Sequence, residues 1–319
     1  MSTTPASATR SGFLFGVGAY LLWGAMPVYF LAMAPAGAFE IVGWRILFSL
    51  AFCVLLLTVV RSWGAFVRIV RTPRTFLLIG LAAVLIYVNW QTYVLATTTG
   101  RVVESALGYF INPVVTVLLG VLVLRERLRP WQWVAVGIST IAIVVLTVEA
   151  GQLPWVSLVI AGSWAFYGLV KKRTGVTVDA ITGLTLESAW LVPLAVVQLL
   201  VVGATAGLAF GDAGAFPTVM LLSTGIGTAV PLLLFAAAAR RLPLSVVGFL
   251  QYLAPILQFL TGVLLLNEPM PVARLIGFAF VWLALVVLVV EGVVAVGRGR
   301  RDRRRADART GAVQAAGPA

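Results

Sequence analysis

The chain has 319 residues, of which 61% are hydrophobic and 11% are charged, and its formal net charge is +12. An average soluble domain carries about 25% charged residues, so this chain has too few of them to cover a surface that faces water. It contains no histidine and a single cysteine, Cys53, which excludes a disulfide framework and a zinc site built from Cys and His. The composition therefore predicts an all-α membrane protein, with no bound metal or other cofactor expected.

Apolar segments long enough to cross a bilayer recur along the chain. A spanning helix needs about 20 mostly apolar residues. Such segments predict ten transmembrane helices, near 12–33, 41–60, 76–96, 103–124, 131–149, 153–171, 181–202, 218–238, 243–266 and 272–294. The first segment exceeds the roughly 7–15 apolar residues of a secretory signal, so we expect it to be retained as a helix.

The basic residues predict the orientation of these helices. With the N-terminus in the cytoplasm, 20 of the 23 Lys and Arg residues lie on the cytoplasmic side, the exceptions being Arg45, Arg101 and Arg274. We therefore expect a multi-pass protein of the cytoplasmic (inner) membrane with both termini inside. Topology also accounts for the positive charge, so nucleic-acid binding is not expected. The basic tail 295–319 is predicted to be disordered, with contact to the anionic lipid of the bilayer as an alternative role.

The two halves of the chain are related by a shift of 142 residues. The shift aligns three pairs, namely Pro113 with Pro255, Gly120 with Gly262, and Glu126 with Glu268. After a short N-terminus (1–11), it defines two repeats of five predicted helices, 12–149 and 153–294. Because five is odd, the second repeat must cross the membrane in the opposite sense. This inverted-repeat architecture is typical of secondary transporters, whose substrate site lies near the midplane between the repeats.

Polar side chains form matching stripes on the fourth and ninth predicted helices. The stripes comprise Tyr109, Asn112, Pro113 and Thr116 on the fourth helix, and Gln251, Tyr252, Pro255 and Gln258 on the ninth. The third helix adds Asn89, Trp90, Gln91 and Tyr93, of which we expect one or two to face the same cavity and the rest to pack. Proline frees a backbone carbonyl, so Pro113 and Pro255 are predicted helix breaks. Two interpretations stay open, since these side chains could line a transport pathway or hydrogen-bond packed helices together.

Charged residues inside predicted spans are the other candidates for the pathway. Arg45 and Glu187 occupy equivalent positions in the two repeats, and inversion should place them toward opposite faces, so no direct ion pair is expected. Glu187 is the acidic residue well within a span and hence the proton-coupling candidate. The alternative is a carboxylate bonded to a neighbouring helix. Glu126 and Glu268 end the fourth and ninth helices, where we expect each to brace a loop by bonding the start of the next helix.

Several segments resemble RarD-type permeases, which belong to the EamA group of the drug/metabolite transporter superfamily. They are the segments 104–113 (ESALGYFINP), 248–255 (GFLQYLAP), 20–24 (YLLWG), 166–168 (FYG, followed by Lys171 and Lys172) and 183–187 (GLTLE). The resemblance extends from about residue 12 to about residue 294. It implies a ten-helix, inverted-repeat permease of the inner membrane, with a link to drug transport and no established substrate.

The sequence thus favours a secondary transporter that exports a small metabolite or drug by alternating access. The chain has no P-loop motif, so we do not expect it to use ATP directly. The competing classes are a non-transporting membrane scaffold or sensor and, less favoured, a membrane-embedded enzyme. Enzyme activity is not expected because histidine is absent and no aspartate lies in a predicted span. The expected partners are a small-molecule substrate and the lipid bilayer, and the chain is compatible with a homodimer.

Overall fold

The computed structural model describes residues 6–125, 128–174, 178–291 and 294, and within these ranges it contains helices and no strands. The helices are α1 (Ala6–Gly24), α2 (Met26–Leu31), α3 (Ala38–Val59), α4 (Trp63–Val70), α5 (Pro73–Thr98), α6 (Val102–Leu124), α7 (Pro130–Ala150), α8 (Trp155–Thr174), α9 (Ala180–Thr205), α10 (Ala215–Leu222), α11 (Thr224–Ala239), α12 (Leu244–Leu250), α13 (Leu253–Leu260) with a π-helical turn (Thr261–Leu265), and α14 (Val272–Glu291). Glu126 and the tail 295–319 lie outside the described residues. The prediction of an all-helical fold is confirmed for the part of the chain that the structure describes.

Eight helical stretches of the described chain are long and apolar enough to cross a membrane. They are α3, α5, α6, α7, α9, α10 with α11, α12 with α13, and α14. The other two predicted spans correspond to α1 with α2 and to α8, whose last turn carries three basic residues. The protein therefore has several membrane spans, while the count of ten in two inverted halves stays a prediction.

Three of the predicted spans are interrupted. The chain breaks at Ala25 between α1 and α2, at Ser223 between α10 and α11, and at Gln251–Tyr252 between α12 and α13. The last break falls four residues before Pro255, which has no N–H to bond the carbonyl of Gln251. Pro113, in contrast, lies inside the continuous helix α6, so the break predicted there does not occur. Proline removes one hydrogen bond of this helix, which packs against α8 and α13.

Helix α4 is an element that the sequence prediction missed. It lies in the basic loop between α3 and α5, and it is too short to span a bilayer. Its residues Phe66 and Ile69 pack against Phe76 and Ile79 of α5. The signal was available in the sequence, because Trp63, Phe66 and Ile69 recur at a three-residue spacing that places them on one face of a helix.

Packing between the two predicted repeats forms the centre of the protein. Helix α3 packs most extensively against α9, which occupies the equivalent position under the 142-residue shift, and also against α11. Helix α5 packs against α8 and α9, and α6 packs against α8. The largest buried cluster joins α2, α3, α5, α8, α9 and α11, and a second one joins α6, α7, α8 and α14. Side chains of both predicted repeats therefore share one interior.

A glycine allows α3 and α11 to approach closely. A Cβ atom at Gly225 would collide with the backbone carbonyl of Phe48 and would come within 3.2 Å of the amide nitrogen of Ser49. Backbone atoms cannot move aside as a flexible side chain would. The contact sets the position of Thr228, which lies one helical turn further along α11.

We expect Gly225→Ala to destabilise the protein by about 1–3 kcal/mol, because the methyl group overpacks a backbone contact. Thermal unfolding of the purified variant in detergent measures this effect. Gly162→Ala is the matched control, since a Cβ at this helical position meets nothing within 4 Å. The interpretation of a close contact is contradicted if both variants unfold at the temperature of the original protein.

Carboxylates join the helices at one end of the bundle. We call the end of the bundle where the predicted basic loops join the helices the basic end. The other end of the bundle is the opposite end. At the opposite end, Glu268 accepts hydrogen bonds from the backbone N–H groups of Val102 (2.6 Å) and Val103 (2.9 Å) at the start of α6. Glu40 at the start of α3 likewise accepts from the N–H groups of Ala209 (3.0 Å) and Phe210 (2.8 Å). These bonds satisfy backbone donors that would otherwise be unpaired.

Glu268 therefore bonds a different helix from the one that the sequence predicted. The expected partner was the start of the following helix, α14, whereas the structure places the carboxylate on α6. The first N–H groups of any helix lack internal partners, and packing of α13 against α6 brings those of α6 within reach. The matching prediction for Glu126 falls outside the described residues.

The ninth predicted span packs against different helices at its two ends. Its half nearer the opposite end, α13, packs against α6 and α1, and Gly262 in the following π-helical turn allows close contact with Val103. Its half toward the basic end, α12, packs instead against α1 and α11. The fourth and ninth predicted spans thus converge at the opposite end.

Candidate substrate site

Arg45 is a buried charge in the middle of the bundle. It lies on α3 with 8% of its surface exposed, and its Nε donates a hydrogen bond to the hydroxyl of Thr228 on α11 (2.9 Å). Its guanidinium carbon lies 4.2 Å from the ring centroid of Trp90 on α5 and 5.5 Å from that of Phe30 on α2. Four helices therefore fix the position of one cation.

No carboxylate of the described residues neutralises this cation. The ion pairs of the described chain join Arg101 to Glu104, Arg129 to Glu291, Lys171 to Glu187, and Arg274 to Glu149. Besides the hydroxyl of Thr228, the aromatic faces supply negative potential to Arg45, and a desolvated cation–π contact contributes about 2 kcal/mol. A charge within a span is costly, so an isolated one indicates a functional site.

Three tyrosines, Tyr29, Tyr93 and Tyr109, lie near the cation. The hydroxyl of Tyr29 bonds Ser223 Oγ (2.6 Å) and that of Tyr109 donates to Asn89 Oδ1 (3.1 Å). The hydroxyl of Tyr93 is buried without a hydrogen-bond partner among the described residues. The Tyr93 ring lies 6.0 Å from Phe30 and 5.8 Å from Tyr109, centroid to centroid. We call the group Arg45, Phe30, Trp90, Tyr93 and Tyr109 the arginine–aromatic site.

The third-helix candidates separate onto two faces of α5. Asn89 is fully buried and its amide donates to Ile160 O and Ser163 Oγ on α8, both at 3.1 Å. Because its oxygen accepts from Tyr109, it joins three helices and borders the arginine–aromatic site. Gln91 instead accepts from Gln198 of α9 (3.2 Å). Two residues apart on a helix point about 200° apart, so only one of the pair can face the site.

The polar stripes on the fourth and ninth spans do not close around Arg45 as a single group. Of these residues, Tyr109 reaches the arginine–aromatic site, while Asn112 and Thr116 bond each other (3.3 Å) on an exposed part of α6. Gln258 is buried and donates to the carbonyl of Trp23 (3.1 Å), while its own oxygen has no partner among the described residues. Gln251 and Tyr252 are half-buried at the break between α12 and α13.

Glu187 has its own cation. Its carboxylate is 2% exposed and lies 2.7 Å from Lys171 Nζ, and it accepts a hydrogen bond from the hydroxyl of Tyr167 (3.2 Å). Under the 142-residue shift, Lys171 aligns with Tyr29 and Glu187 aligns with Arg45. Within the described residues, the second predicted repeat therefore neutralises its buried charge internally, whereas the first predicted repeat does not.

A cavity at the opposite end is a second candidate for binding a ligand. It has a volume of about 260 Å³, and the charged residues that line it are Arg101, Glu104, Glu149, Glu268 and Arg274. Arg101 pairs with Glu104 (2.6 Å) and Arg274 with Glu149 (3.6 Å). Because four of these five charges pair with each other and Glu268 binds the start of α6, we consider the arginine–aromatic site the better candidate for binding a ligand.

The sequence prediction identified Arg45 and Tyr109, and it named Trp90 and Tyr93 among four third-helix residues of which one or two should face the same cavity. Phe30 and Thr228 are the residues of the surroundings that it left out. Aromatic residues are common throughout apolar spans, so their presence carries little information about a site. One available signal was the spacing of Trp90 and Tyr93, which places both on the same face of α5.

Known proteins resemble this chain over nearly its whole length. Residues 10–148 match the EamA-like transporter family. Protein RarD of Streptomyces exfoliatus is 44% identical over 94% of this chain and 93% of its own length. The chain belongs to the RarD-type permeases of the EamA-like transporter family. This RarD-type chain is also 41% identical to an uncharacterized transporter of Pseudomonas aeruginosa, over 87% of the chain and 93% of that relative.

A solved structure shares the fold of this RarD-type permease. One crystal structure, 18% identical in sequence, superposes with a TM-score of 0.55 and covers 88% of this chain and 97% of its own. The resemblance stated from the sequence is confirmed, and the RarD-type chain is a multi-pass membrane transporter.

Proposed function

We propose that this RarD-type permease is a secondary active transporter that exports a small metabolite or drug by alternating access. Its place is the cytoplasmic membrane, with both termini on the cytoplasmic side and ten spans in two inverted halves, 12–149 and 153–294. The observation that carries the proposal is Arg45, a cation in the membrane interior without a carboxylate partner in the described chain. Intramembrane charges of this kind mark substrate pathways.

The position of the site supports a transport role. Arg45, Trp90 and Phe30 belong to the first proposed half, and Thr228, which orients Arg45, belongs to the second. A site between inverted repeats becomes accessible from one membrane face and then from the other when the halves move relative to each other. Residues of both halves at one cation are therefore the arrangement that alternating access requires.

The packing of the fourth and ninth spans supports a conformation closed at the opposite end. Contact of α13 with α6 and the two bonds from the start of α6 to Glu268 hold that end together. We propose that the opposite end faces outward, because the predicted basic loops mark the cytoplasmic side. The converse state requires α6 and α13 to separate, which breaks the bonds to Glu268.

Flux through purified protein in liposomes tests the proposal. The assay follows labelled metabolites and drugs in both directions, with and without a pH gradient, for the original protein and for Arg45→Gln. We expect flux of at least one compound that depends on Arg45. Correctly folded protein that moves no compound contradicts transport and favours the scaffold or sensor alternative.

Glu187 remains the proposed site of proton coupling, and the same assay tests it. If Glu187 carries the proton, Glu187→Gln should remove the stimulation by a pH gradient and leave gradient-free exchange intact. The ion pair with Lys171 favours the bracing alternative, since a nearby cation stabilises the charged carboxylate. Bracing predicts a lower unfolding temperature with unchanged pH dependence of flux, and Lys171→Met should then destabilise the protein similarly.

A further inference from the structure

We propose that Arg45 and Tyr93 bind the carboxylate of the transported molecule, and that the surrounding rings hold an aromatic or planar apolar body. This inference rests on the proposed function, because it assigns the chemical class of the substrate to the same site. It starts from two polar groups that the described chain leaves without acceptors.

The guanidinium of Arg45 has N–H donors that make no hydrogen bond within the described chain. Of its five N–H groups, the one on Nε bonds Thr228, and neither terminal nitrogen has an acceptor among the described residues. The side chain is nevertheless 92% buried, given its 8% exposure. Because the terminal nitrogens are not among the fully buried atoms of the described chain, they keep some accessible surface and a ligand can reach them. Two adjacent guanidinium N–H groups match the two oxygens of a carboxylate.

Tyr93 supplies a third donor from a different helix. Its hydroxyl is buried and lacks a partner, whereas those of Tyr29 and Tyr109 are occupied by protein groups. Phe30 contacts both residues, since its ring lies 5.5 Å from the Arg45 guanidinium carbon and 6.0 Å from the ring of Tyr93. One anion between Arg45 and Tyr93 would therefore satisfy both sets of donors.

The charge of the site favours a monoanion. Arg45 is its single cation within the described chain, and the residues that contact it, Thr228, Trp90 and Phe30, carry no charge. A carboxylate neutralises one arginine, whereas a phosphate monoester carries about −1.5 to −2 charges and would leave an excess buried. The other walls are ring surfaces, with Tyr109 lying 6.2 Å from Trp164. Such walls suit a planar apolar body rather than a sugar.

Binding of matched acids and amides tests the inference. The probes are benzoate, 3-phenylpropionate and indole-3-acetate, each with its primary amide, measured by calorimetry on the protein in detergent. We expect at least one acid to bind at least about tenfold more tightly than its amide, as loss of a charged hydrogen bond predicts. Arg45→Gln should remove that preference, and Tyr93→Phe should weaken binding of the acid by about three- to tenfold.

Two control variants match the chemistry of the test variants. Arg241→Gln removes an arginine that lies over the ring of Phe15 (5.3 Å), and Tyr87→Phe removes a hydroxyl that bonds Gln198 (2.6 Å). Neither lies in the arginine–aromatic site, so both should bind the acid as the original protein does. If Arg45→Gln does not fold, Arg45→Lys decides, because it keeps the charge but loses the paired N–H groups and should lower the preference for acid over amide.

The outcomes separate this inference from the proposed function. Acid binding that depends on Arg45, without flux in liposomes, supports the carboxylate site and contradicts transport. Flux of neutral compounds that is unchanged in Arg45→Gln supports transport and overturns the carboxylate site. Equal binding of acids and amides, or no binding of any acid, also overturns it.

Discussion

Arg45→Gln is expected to reduce flux of the substrate by about 100-fold or more while the protein still folds. Removing one partner of a buried, hydrogen-bonded charge pair costs about 2–5 kcal/mol of binding, and about 2.7 kcal/mol corresponds to 100-fold. The unfolding temperature should change little. The variant loses a cation–π contact with Trp90, and it no longer buries a charge that the described chain leaves without a carboxylate.

Flux in liposomes and thermal unfolding of the same preparation measure both parts of this expectation. Arg241→Gln serves as the control for loss of an arginine near an aromatic ring, and it should retain flux. Wild-type flux in a folded Arg45→Gln variant would contradict a role for the arginine in transport. A large loss of stability together with a proportional loss of flux would indicate a purely structural arginine.

Glu268→Ala is expected to destabilise the protein by about 2–4 kcal/mol and to loosen the opposite end of the bundle. The substitution leaves the N–H groups of Val102 and Val103 without their acceptors, and each unsatisfied buried donor costs about 1–3 kcal/mol. Because the carboxylate is partly exposed, the lower part of the sum is the better expectation. Thermal unfolding measures the stability, and hydrogen exchange at the start of α6 measures the loosening.

Glu268→Gln separates the hydrogen bonds from the charge. Burial raises the pKa of Glu268 above its ordinary value of 4.5, and nearby Glu104 acts in the same direction, while the N–H groups of Val103 and Val102 and the charge of Arg274 oppose the shift. The folded state therefore binds this proton more tightly than the unfolded state. The resulting stabilisation is fully present below pH 4.5 and is lost as the pH rises through the raised pKa.

As the pH rises above 4.5, the original protein should accordingly lose stability relative to Glu268→Gln. Unfolding temperatures of both proteins across that window measure the shift, and Glu149→Gln is a control carboxylate at the same end. A difference that is flat with pH would show that Glu268 titrates alike in the folded and unfolded states.

Hydropathy predicted the spans because the apolar bilayer selects long apolar segments. It could not predict where those helices are interrupted. The predicted helix 76–96 became α5 (Pro73–Thr98), whereas 218–238 became α10 and α11. The break at Ser223 coincides with a tertiary contact, since the hydroxyl of Tyr29 bonds that of Ser223 (2.6 Å), which in turn donates to the carbonyl of Met220 (2.7 Å). Nothing within the segment 218–238 indicates a partner 194 residues away in sequence.

The site was predictable only where a residue is unusual in its surroundings. An arginine within an apolar segment is conspicuous in the sequence. Trp90 and Tyr93 could be named only among several third-helix candidates, because packing decides which of them meet the arginine. The choice between Asn89 and Gln91 likewise depends on the rotation of α5, which its neighbours set. The sequence also indicated that Glu268 binds backbone groups, but not that those groups belong to α6.

The unequal charges of the two halves have an electrical consequence. Lys171 and Glu187 form a pair of zero net charge, so they add nothing to the charge that crosses the membrane. If Arg45 stays in place while a carboxylate passes it alone, each transport cycle moves one negative charge outward. A membrane potential that is negative inside drives such a step by about 2.3 kcal/mol per 100 mV. At a potential of about 100 mV, the proposed export of a monoanion would then proceed against a concentration gradient of about 50-fold without a counter-ion.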